Sequence, residues 1–188
     1  MQPIFIAVAA VIGLLSVLLI SKRITKTMSS ARDPLKIWDG LTHSGVVPMR
    51  LRGWIFSTIL GFANPYSRSI NFRITELRKG TACGVMRETK SNSNPFRCVH
   101  AAALICFGET VGGLAVFTLL GKKDRAILTN INAEYIKVAR GLLTASSLVP
   151  AIKDRTANEL VNEVLIKNAK FETVAKLTLT WRLDLKDE

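Results

Sequence analysis

The long apolar segment Val99–Leu120 constrains the fold of this chain more than any other part of its sequence. It is rich in Ala and Leu and ends at Gly121. Because its apolar residues would lie nearly all round a helix, we expect one helix that is buried on most sides. Two predicted strands precede this helix and four follow it, with no further helix among them. That order predicts an α+β domain in which an antiparallel sheet wraps round the helix.

The strands are predicted from alternating or β-branched segments that are bounded by turn signals. The first of them alternates apolar and polar residues, and Arg78-Lys79-Gly80 turns it into the second. A polar loop, Lys90–Arg97, then leads to the helix. The six predicted strands are Ser69–Leu77, Thr81–Glu88, Ala126–Val138, Leu142–Val149, Glu159–Ile166 and Phe171–Leu183.

The N-terminal segment Pro3–Ile20 contains no charged residue. A membrane-spanning helix needs about 20 apolar residues, which this segment supplies together with Ser21 and a snorkelling lysine. A cleaved signal peptide and a buried core helix are the alternatives. However, no basic residue precedes the segment, and Ser21-Lys22-Arg23 follows it where a signal peptide needs a small-residue cleavage site. Residues 1–21 are therefore predicted to be an uncleaved transmembrane anchor.

The charge of the chain predicts which side of the membrane the domain faces. Lys22, Arg23, Lys26 and Arg32 all precede the first acid, Asp33, so the positive-inside rule places the domain on the cytosolic or matrix side. The formal net charge is +12 and the pI is about 10.1, which predicts an anionic partner such as membrane lipid. With an aromatic content of only 7%, nucleic acid is not expected as a partner.

The cysteines and histidines bear on compartment and metal content. Three cysteines without a CxxC pair favour a reducing compartment, and two histidines are too few for a His-rich metal site. A basic, reduced, membrane-anchored chain fits the mitochondrial inner membrane with its domain facing the matrix, which we favour over the endoplasmic reticulum. No metal site is predicted.

Residues 22–63 are predicted to be a basic linker that ends in an amphipathic helix. Only scattered apolar residues occur before Val47, whereas Arg50–Ala63 has apolar residues at helical spacing, with Leu51, Trp54 and Ile55 among them. This helix either packs on its own domain or makes a second contact with the membrane. Residues 64–188 form the predicted domain.

The loop before the long helix and the helix itself carry the most specific motif. Asn94–Phe96 reads Asn-Pro-Phe, His100 stands at the predicted helix start, and Glu109 follows nine residues later. This pattern resembles the hotdog-fold acyl-thioesterase superfamily, specifically phenylacetate-type thioesterases and related uncharacterised thioesterase-like proteins. The resemblance runs from about residue 64 to the C-terminus. It implies a hotdog fold, a dimer, and an acyl-CoA or similar acyl thioester as substrate, with coenzyme A as part of that substrate and no separate cofactor.

The residues of this motif suggest a mechanism. Amide N–H groups near His100 and Ala101, at the positive end of the helix, could stabilise the oxyanion of a thioester. Glu109 would be the nucleophile or the base that activates water, with a pKa raised on an apolar helix, and Asn94 would orient the loop or the water. Nine helical residues span about 13.5 Å, so one carbonyl cannot reach both groups of one chain. A working site therefore needs two subunits.

Three functional classes stay open at this point. The phosphates of coenzyme A could be steered by basic residues that follow the helix, namely Lys122, Lys123, Arg125, Lys137 and Arg140, and the last two are the predicted contacts. Family members usually have Gly at the positions of Arg97 and Ala101, and these departures favour an inactive domain, whereas Asn94 and Glu109 favour an enzyme. The chain is thus an acyl-CoA thioesterase, an acyl-binding module without turnover, or a structural accessory subunit of a mitochondrial membrane complex.

Overall fold

A computed structural model describes residues 33–43 and 47–186 of the 188-residue chain. Three helices precede the first strand pair, and a fourth helix lies between the second and third strands. In chain order the elements are α1 (Pro34–His43), α2 (Met49–Ala63), α3 (Pro65–Ser69), β1 (Phe72–Arg78), β2 (Thr81–Arg87), α4 (Ala101–Phe117), β3 (Arg125–Tyr135), β4 (Leu142–Leu148), β5 (Glu159–Lys167) and β6 (Thr173–Asp184).

The strands form one six-stranded sheet in the order β1-β2-β4-β5-β6-β3. Every neighbouring pair is antiparallel. The chain leaves the sheet after β2, runs through α4 and returns as the far edge strand β3, so the sheet curves round one central helix. This is the hotdog architecture, and the predicted α+β class is confirmed, as is the predicted order along the chain of two strands, a helix and four strands.

Helix α4 forms the centre of the core because its sequence lets it approach the sheet closely. Phe107 and Val111 are fully buried. Gly108 and Gly112 face Leu177 and Leu179 of β6 so closely that a Cβ at either glycine would overlap those side chains. The strands supply the opposite wall: β4, for example, alternates strictly between buried and exposed residues. The prediction that the segment is one largely buried helix is confirmed.

A buried polar network ties α4 to the sheet at Asn162 of β5. The Asn162 Nδ2 donates to the Gly112 carbonyl at 3.3 Å and to the Ser147 Oγ at 2.9 Å. The indole N–H of Trp181 donates to Asn162 Oδ1 at 2.8 Å, and the Ser147 hydroxyl donates to the Glu163 carbonyl. Each buried polar atom of the network therefore has a partner, which is the condition for a polar core site to be stable.

The region before residue 64 departs from the linker that its composition suggests. Pro34–His43 is a helix, α1, because Ile37 and Trp38 form an apolar face that is buried in the domain. Trp38 packs edge-on against Phe56 of α2, with ring centroids 5.1 Å apart. The compact unit accordingly begins at Asp33, well before residue 64.

Helix α2 covers the outer edge of the sheet. Gly53 lies against the Ile74 carbonyl of β1, and the Ile74 N–H donates to the Ser57 Oγ at 2.8 Å. The predicted helix over Arg50–Ala63 is confirmed, and one of its faces packs on the domain.

The predicted anchor, residues 1–21, lies outside the described residues. Within residues 33–43 and 47–186, no helix combines the length and the hydropathy that crossing a bilayer requires.

Candidate functional site

The start of α4 presents one unpaired backbone donor. His100 is the N-cap residue, and its Nδ1 accepts a hydrogen bond from the Ala102 N–H at 3.0 Å. The His100 carbonyl accepts from the N–H groups of Ala103 and Leu104. Among the described residues nothing accepts from the Ala101 N–H, which is left as the free donor of the first turn. His100 therefore caps the helix, and Ala101 carries the candidate oxyanion donor.

Asn94 fastens the loop that precedes α4. Its Oδ1 accepts from the N–H groups of Phe96 at 3.0 Å and Cys98 at 3.3 Å. The Asn94 N–H donates to the Cys98 carbonyl at 2.9 Å, which closes the loop on itself. Of the two roles considered for Asn94, these contacts are those of a residue that orients the loop.

Arg97 stands at the tip of this loop in a left-handed backbone conformation, with φ of 58°. A residue with a Cβ adopts that conformation at a cost, which gives a physical reason for the glycine that the resemblance to hotdog thioesterases implies there. The Arg140 Nε donates to the Arg97 carbonyl at 3.0 Å. Arg140 therefore lies beside the loop, close to the start of α4.

Glu109 is a half-buried carboxylate in the middle of α4. Burial raises its pKa above the ordinary carboxyl value, as the sequence predicted. Within the described part of the chain it has no hydrogen bond and no ion pair. Glu109 thus forms no salt bridge within the described part of one subunit.

The Ala101 amide and the Glu109 carboxylate lie apart on the helix. Eight residues separate them, which is about 12 Å along the axis. Ala101 is exposed at one end, and Tyr135 of β3 lies beside it, with its hydroxyl 3.5 Å from the Ala101 carbonyl. One subunit thus brings Asn94, His100, Ala101 and Arg140 together but leaves Glu109 out of reach.

Lys137 is paired with an acidic side chain. Its Nζ forms an ion pair with the Glu172 Oε1 at 2.7 Å, between two exposed side chains. The hydrogen bond from Lys137 lowers the pKa of the Glu172 carboxyl. Of the two predicted contacts for coenzyme A, Arg140 is the one that lies beside the start of α4.

A basic cleft lies at the other end of α4. It brings Lys122 and Lys123, which sequence reasoning named as possible phosphate contacts, together with basic residues that sequence reasoning did not name. Its volume is about 550 Å³. No acid is among its lining residues, but two of its cations, Arg155 and Lys186, form ion pairs with Asp124 and Asp184. The basic residues of the cleft lie in turns that are far apart in the sequence, and the fold brings them close together. The lining residues are Lys79, Thr118, Leu119, Leu120, Gly121, Lys122, Lys123, Ala151, Ile152, Arg155 and Lys186. Such a lining suits a phosphate-bearing anion electrostatically.

Residues 33–43 and 47–186 contain no candidate metal site. No group of three His, Cys, Asp or Glu side chains there could hold a metal ion.

Solved structures share this architecture. The genomics target APC5556 superposes with a TM-score of 0.67 at 23% identity and covers 80% of this chain and 99% of its own. A variant of a thioesterase from Staphylococcus aureus superposes with a TM-score of 0.58 at 24% identity, covering 64% of this chain and 99% of its own. A thioesterase from Haemophilus influenzae gives 0.59 at 19% identity, covering 67% and 87%.

No curated protein sequence matches the chain significantly. A family model does: it describes a domain of unknown function, DUF4442, and matches residues 52–183, from α2 to the end of β6. The match spans the hotdog sheet, its central helix, and the residues of the candidate site. The chain belongs to the DUF4442 domain family.

Proposed function

We propose that this protein is a thioesterase-like protein that hydrolyses or binds acyl-CoA, or another acyl thioester, at the interface of a dimer. The observation that carries the proposal is the separation, on one helix, of an unpaired helix-start amide and a half-buried carboxylate without a partner. Each group is half of an acyl-transfer site. The solved relatives that are named thioesterases support the reaction class.

The proposed reaction needs both groups at one thioester. The Ala101 N–H of one subunit donates to the carbonyl oxygen as negative charge develops there. Glu109 of the other subunit, ionised, takes a proton from a water molecule whose oxygen attacks the carbonyl carbon. The carbon–sulfur bond then breaks, and the leaving thiolate takes up that proton. A free carboxylic acid and coenzyme A result, and Arg140 contacts a phosphate of the substrate.

The edges of the sheet favour a particular dimer. Helix α2 covers the β1 edge through Ser57 and Gly53. At the other end, β3 pairs only with β6 among the described strands, so its outer edge is open. An uncovered edge strand is a ready surface for pairing with a second copy. Pairing there sets the two sheets edge to edge beside the start of each α4.

The test is steady-state hydrolysis of an acyl-CoA series by the full chain in detergent. Turnover by the natural chain that Glu109→Gln abolishes would support the proposal. Glu159→Gln, at an exposed glutamate of β5, is the matched control and should keep the natural rate. Acyl-CoA binding without release of coenzyme A would support only the binding part of the proposal. The absence of both binding and turnover would contradict the proposal.

A second candidate function, a catalytically silent subunit of a mitochondrial membrane complex, is favoured by Arg97. Arg97 puts an exposed, charged side chain in the loop that leads to Ala101, and a substrate carbonyl has to approach Ala101. This alternative predicts that the protein co-purifies with a large assembly and that substituting Glu109 leaves that assembly intact.

The proposal includes membrane anchoring through residues 1–21, with the domain on the matrix side of the mitochondrial inner membrane and lipid as a partner. It rests on the apolar run Pro3–Ile20 and the basic residues that follow it. The full chain should stay in the membrane pellet after carbonate extraction. Its complete release by carbonate would contradict anchoring but would leave the thioesterase-like proposal untouched.

A further inference from the structure

Helix α2 has two apolar faces, and only one of them is used by the domain. Phe56 is buried against the domain. On the opposite face the side chains of Trp54 and Phe62 are 62% and 63% exposed. Tyr66, just beyond the helix in α3, is 67% exposed. Large aromatic side chains in such a group are unusual on a surface that faces only water.

The exposed residues follow helical spacing. Leu51, Trp54, Thr58 and Phe62 are separated by three, four and four positions, so they form one stripe along α2. Thr58 interrupts the stripe little, because its hydroxyl donates to the Trp54 carbonyl at 2.9 Å and so needs no partner outside the helix. We call this stripe, together with Tyr66, the outer face of α2.

The charged residues along α2 and α3 have a single sign. Between Val47 and Thr75 the sequence has four arginines and no aspartate or glutamate. Arg50 is exposed at the start of α2 and Arg68 is exposed in α3, so the two flank the stripe. The Arg68 guanidinium lies over the Phe62 ring, 5.2 Å from its centroid.

This combination fits one kind of partner. A helix that lies in a membrane interface has aromatic residues and leucine on its apolar face and basic residues beside it. Trp and Tyr favour the headgroup level, and arginine is attracted to anionic headgroups. A second copy of this chain would instead bring the arginines of two outer faces together, with no acid from either face to compensate them.

We propose that the outer face of α2 lies on the surface of an anionic membrane, with Trp54 and Phe62 in the boundary between headgroups and acyl chains and with Arg50 and Arg68 against lipid phosphates. This contact is made by the domain itself and does not depend on residues 1–21 or on the proposed reaction. It would hold the domain flat against the bilayer.

Trp54 is a natural probe of the contact. The chain has three tryptophans, and the other two, Trp38 and Trp181, are each only 3% exposed. The full chain is reconstituted into phosphatidylcholine vesicles that carry brominated acyl chains, with or without about one third phosphatidylglycerol. We expect strong fluorescence quenching in the anionic vesicles, weaker quenching in the neutral ones, and loss of the quenched component in Trp54→Phe.

Matched charge variants test the arginines. Arg50→Gln combined with Arg68→Gln should reduce quenching in anionic vesicles to the level of the neutral ones. Lys122→Gln combined with Lys123→Gln removes the same charge from the basic cleft and should leave quenching unchanged. All four side chains are exposed, so the variants should fold, and the circular dichroism spectrum checks this. Hydrolysis or binding of acyl-CoA in detergent should be unaffected by the Arg50→Gln and Arg68→Gln pair.

Two results would overturn the proposal. If acrylamide quenches Trp54 freely in both kinds of vesicle, the outer face is exposed to water and does not lie on the membrane. If Trp54 is shielded from acrylamide but bromine does not quench it, protein covers the face. Shielding that grows with protein density would identify a second copy as that cover, and shielding independent of density would identify another segment of the same chain.

Discussion

At the scale of single residues, the environment of Glu109 predicts how stability depends on pH. Burial raises the pKa of the Glu109 carboxyl in the folded chain above its value in the unfolded chain. The stability of the fold is therefore highest below the unfolded pKa, where the carboxyl is protonated in both states. Part of that stability is lost as pH rises through the folded pKa. Glu109→Gln has no such loss. Its melting temperature should exceed that of the natural protein at about pH 8, and the difference should vanish towards about pH 4.

Thermal melts of both proteins across that pH range measure this difference. Glu159→Gln, at an exposed position, should melt like the natural protein throughout. A Glu109→Gln variant that is less stable at neutral pH would show that the carboxylate has a stabilising partner.

The backbone at Arg97 gives a second prediction at this scale. Arg97→Gly should relieve the left-handed conformation, for a gain of up to about 1 kcal/mol in the free energy of unfolding, and should raise acyl-CoA turnover by opening the loop. Phe171 has a similar φ of 61° in a different loop, so Phe171→Gly is the matched control. We expect it to gain stability without any change in turnover. Equal turnover in both variants would mean that Arg97 does not obstruct the site.

At the scale of elements, Asn162 links α4 to the sheet. Asn162→Leu keeps the volume but leaves the Trp181 indole N–H buried without its partner. The cost should be about 2 kcal/mol in urea unfolding, because an unpaired buried group costs roughly 1–3 kcal/mol. Asn158→Leu, at an exposed asparagine, should change stability by less than about 0.5 kcal/mol. A similar small loss at Asn162 would mean that water replaces the network.

The elements themselves could largely be predicted from the sequence, because α4 and the strands have strong apolar periodicity. The observed ends of the elements differ from the predicted ends by a few residues. Helix α4, for example, begins at Ala101 and not at Val99, because His100 caps its first turn. Helix α1 could not be predicted in this way, since its buried face consists of little more than Ile37 and Trp38, and its helical state depends on Phe56 from a later helix. The basic cleft is likewise assembled from turns that are distant in sequence.

Local sequence patterns identify the residues of the candidate site but not all of the contacts that these residues make. The resemblance of the motif to hotdog-fold thioesterases points to His100, Ala101 and Glu109, and the helix start and the carboxylate on an apolar helix give the physical reason. The hydrogen bonds of Asn94 to its own loop and the ion pair between Lys137 and Glu172 do not follow, because they depend on which backbone or side chain the fold brings alongside.

At the scale of the whole molecule, the central claim is that one site combines Ala101 of one subunit with Glu109 of the other. Two variants can each remove one half. Ala101→Pro deletes the donor N–H but suits the first helical position, and His100, with φ of −62° and ψ of 140°, already has a conformation that a residue before proline adopts. Glu109→Gln deletes the carboxylate. Each variant alone should be inactive while remaining folded.

Heterodimers of the two variants, co-expressed with different tags and purified through both, provide the most direct measurement. Such a heterodimer has one site with both Ala101 and Glu109 intact and one site that lacks both. Its rate of acyl-CoA hydrolysis should be about half that of the natural dimer, although both parent variants have none. A heterodimer as inactive as its parents would contradict a site shared between subunits.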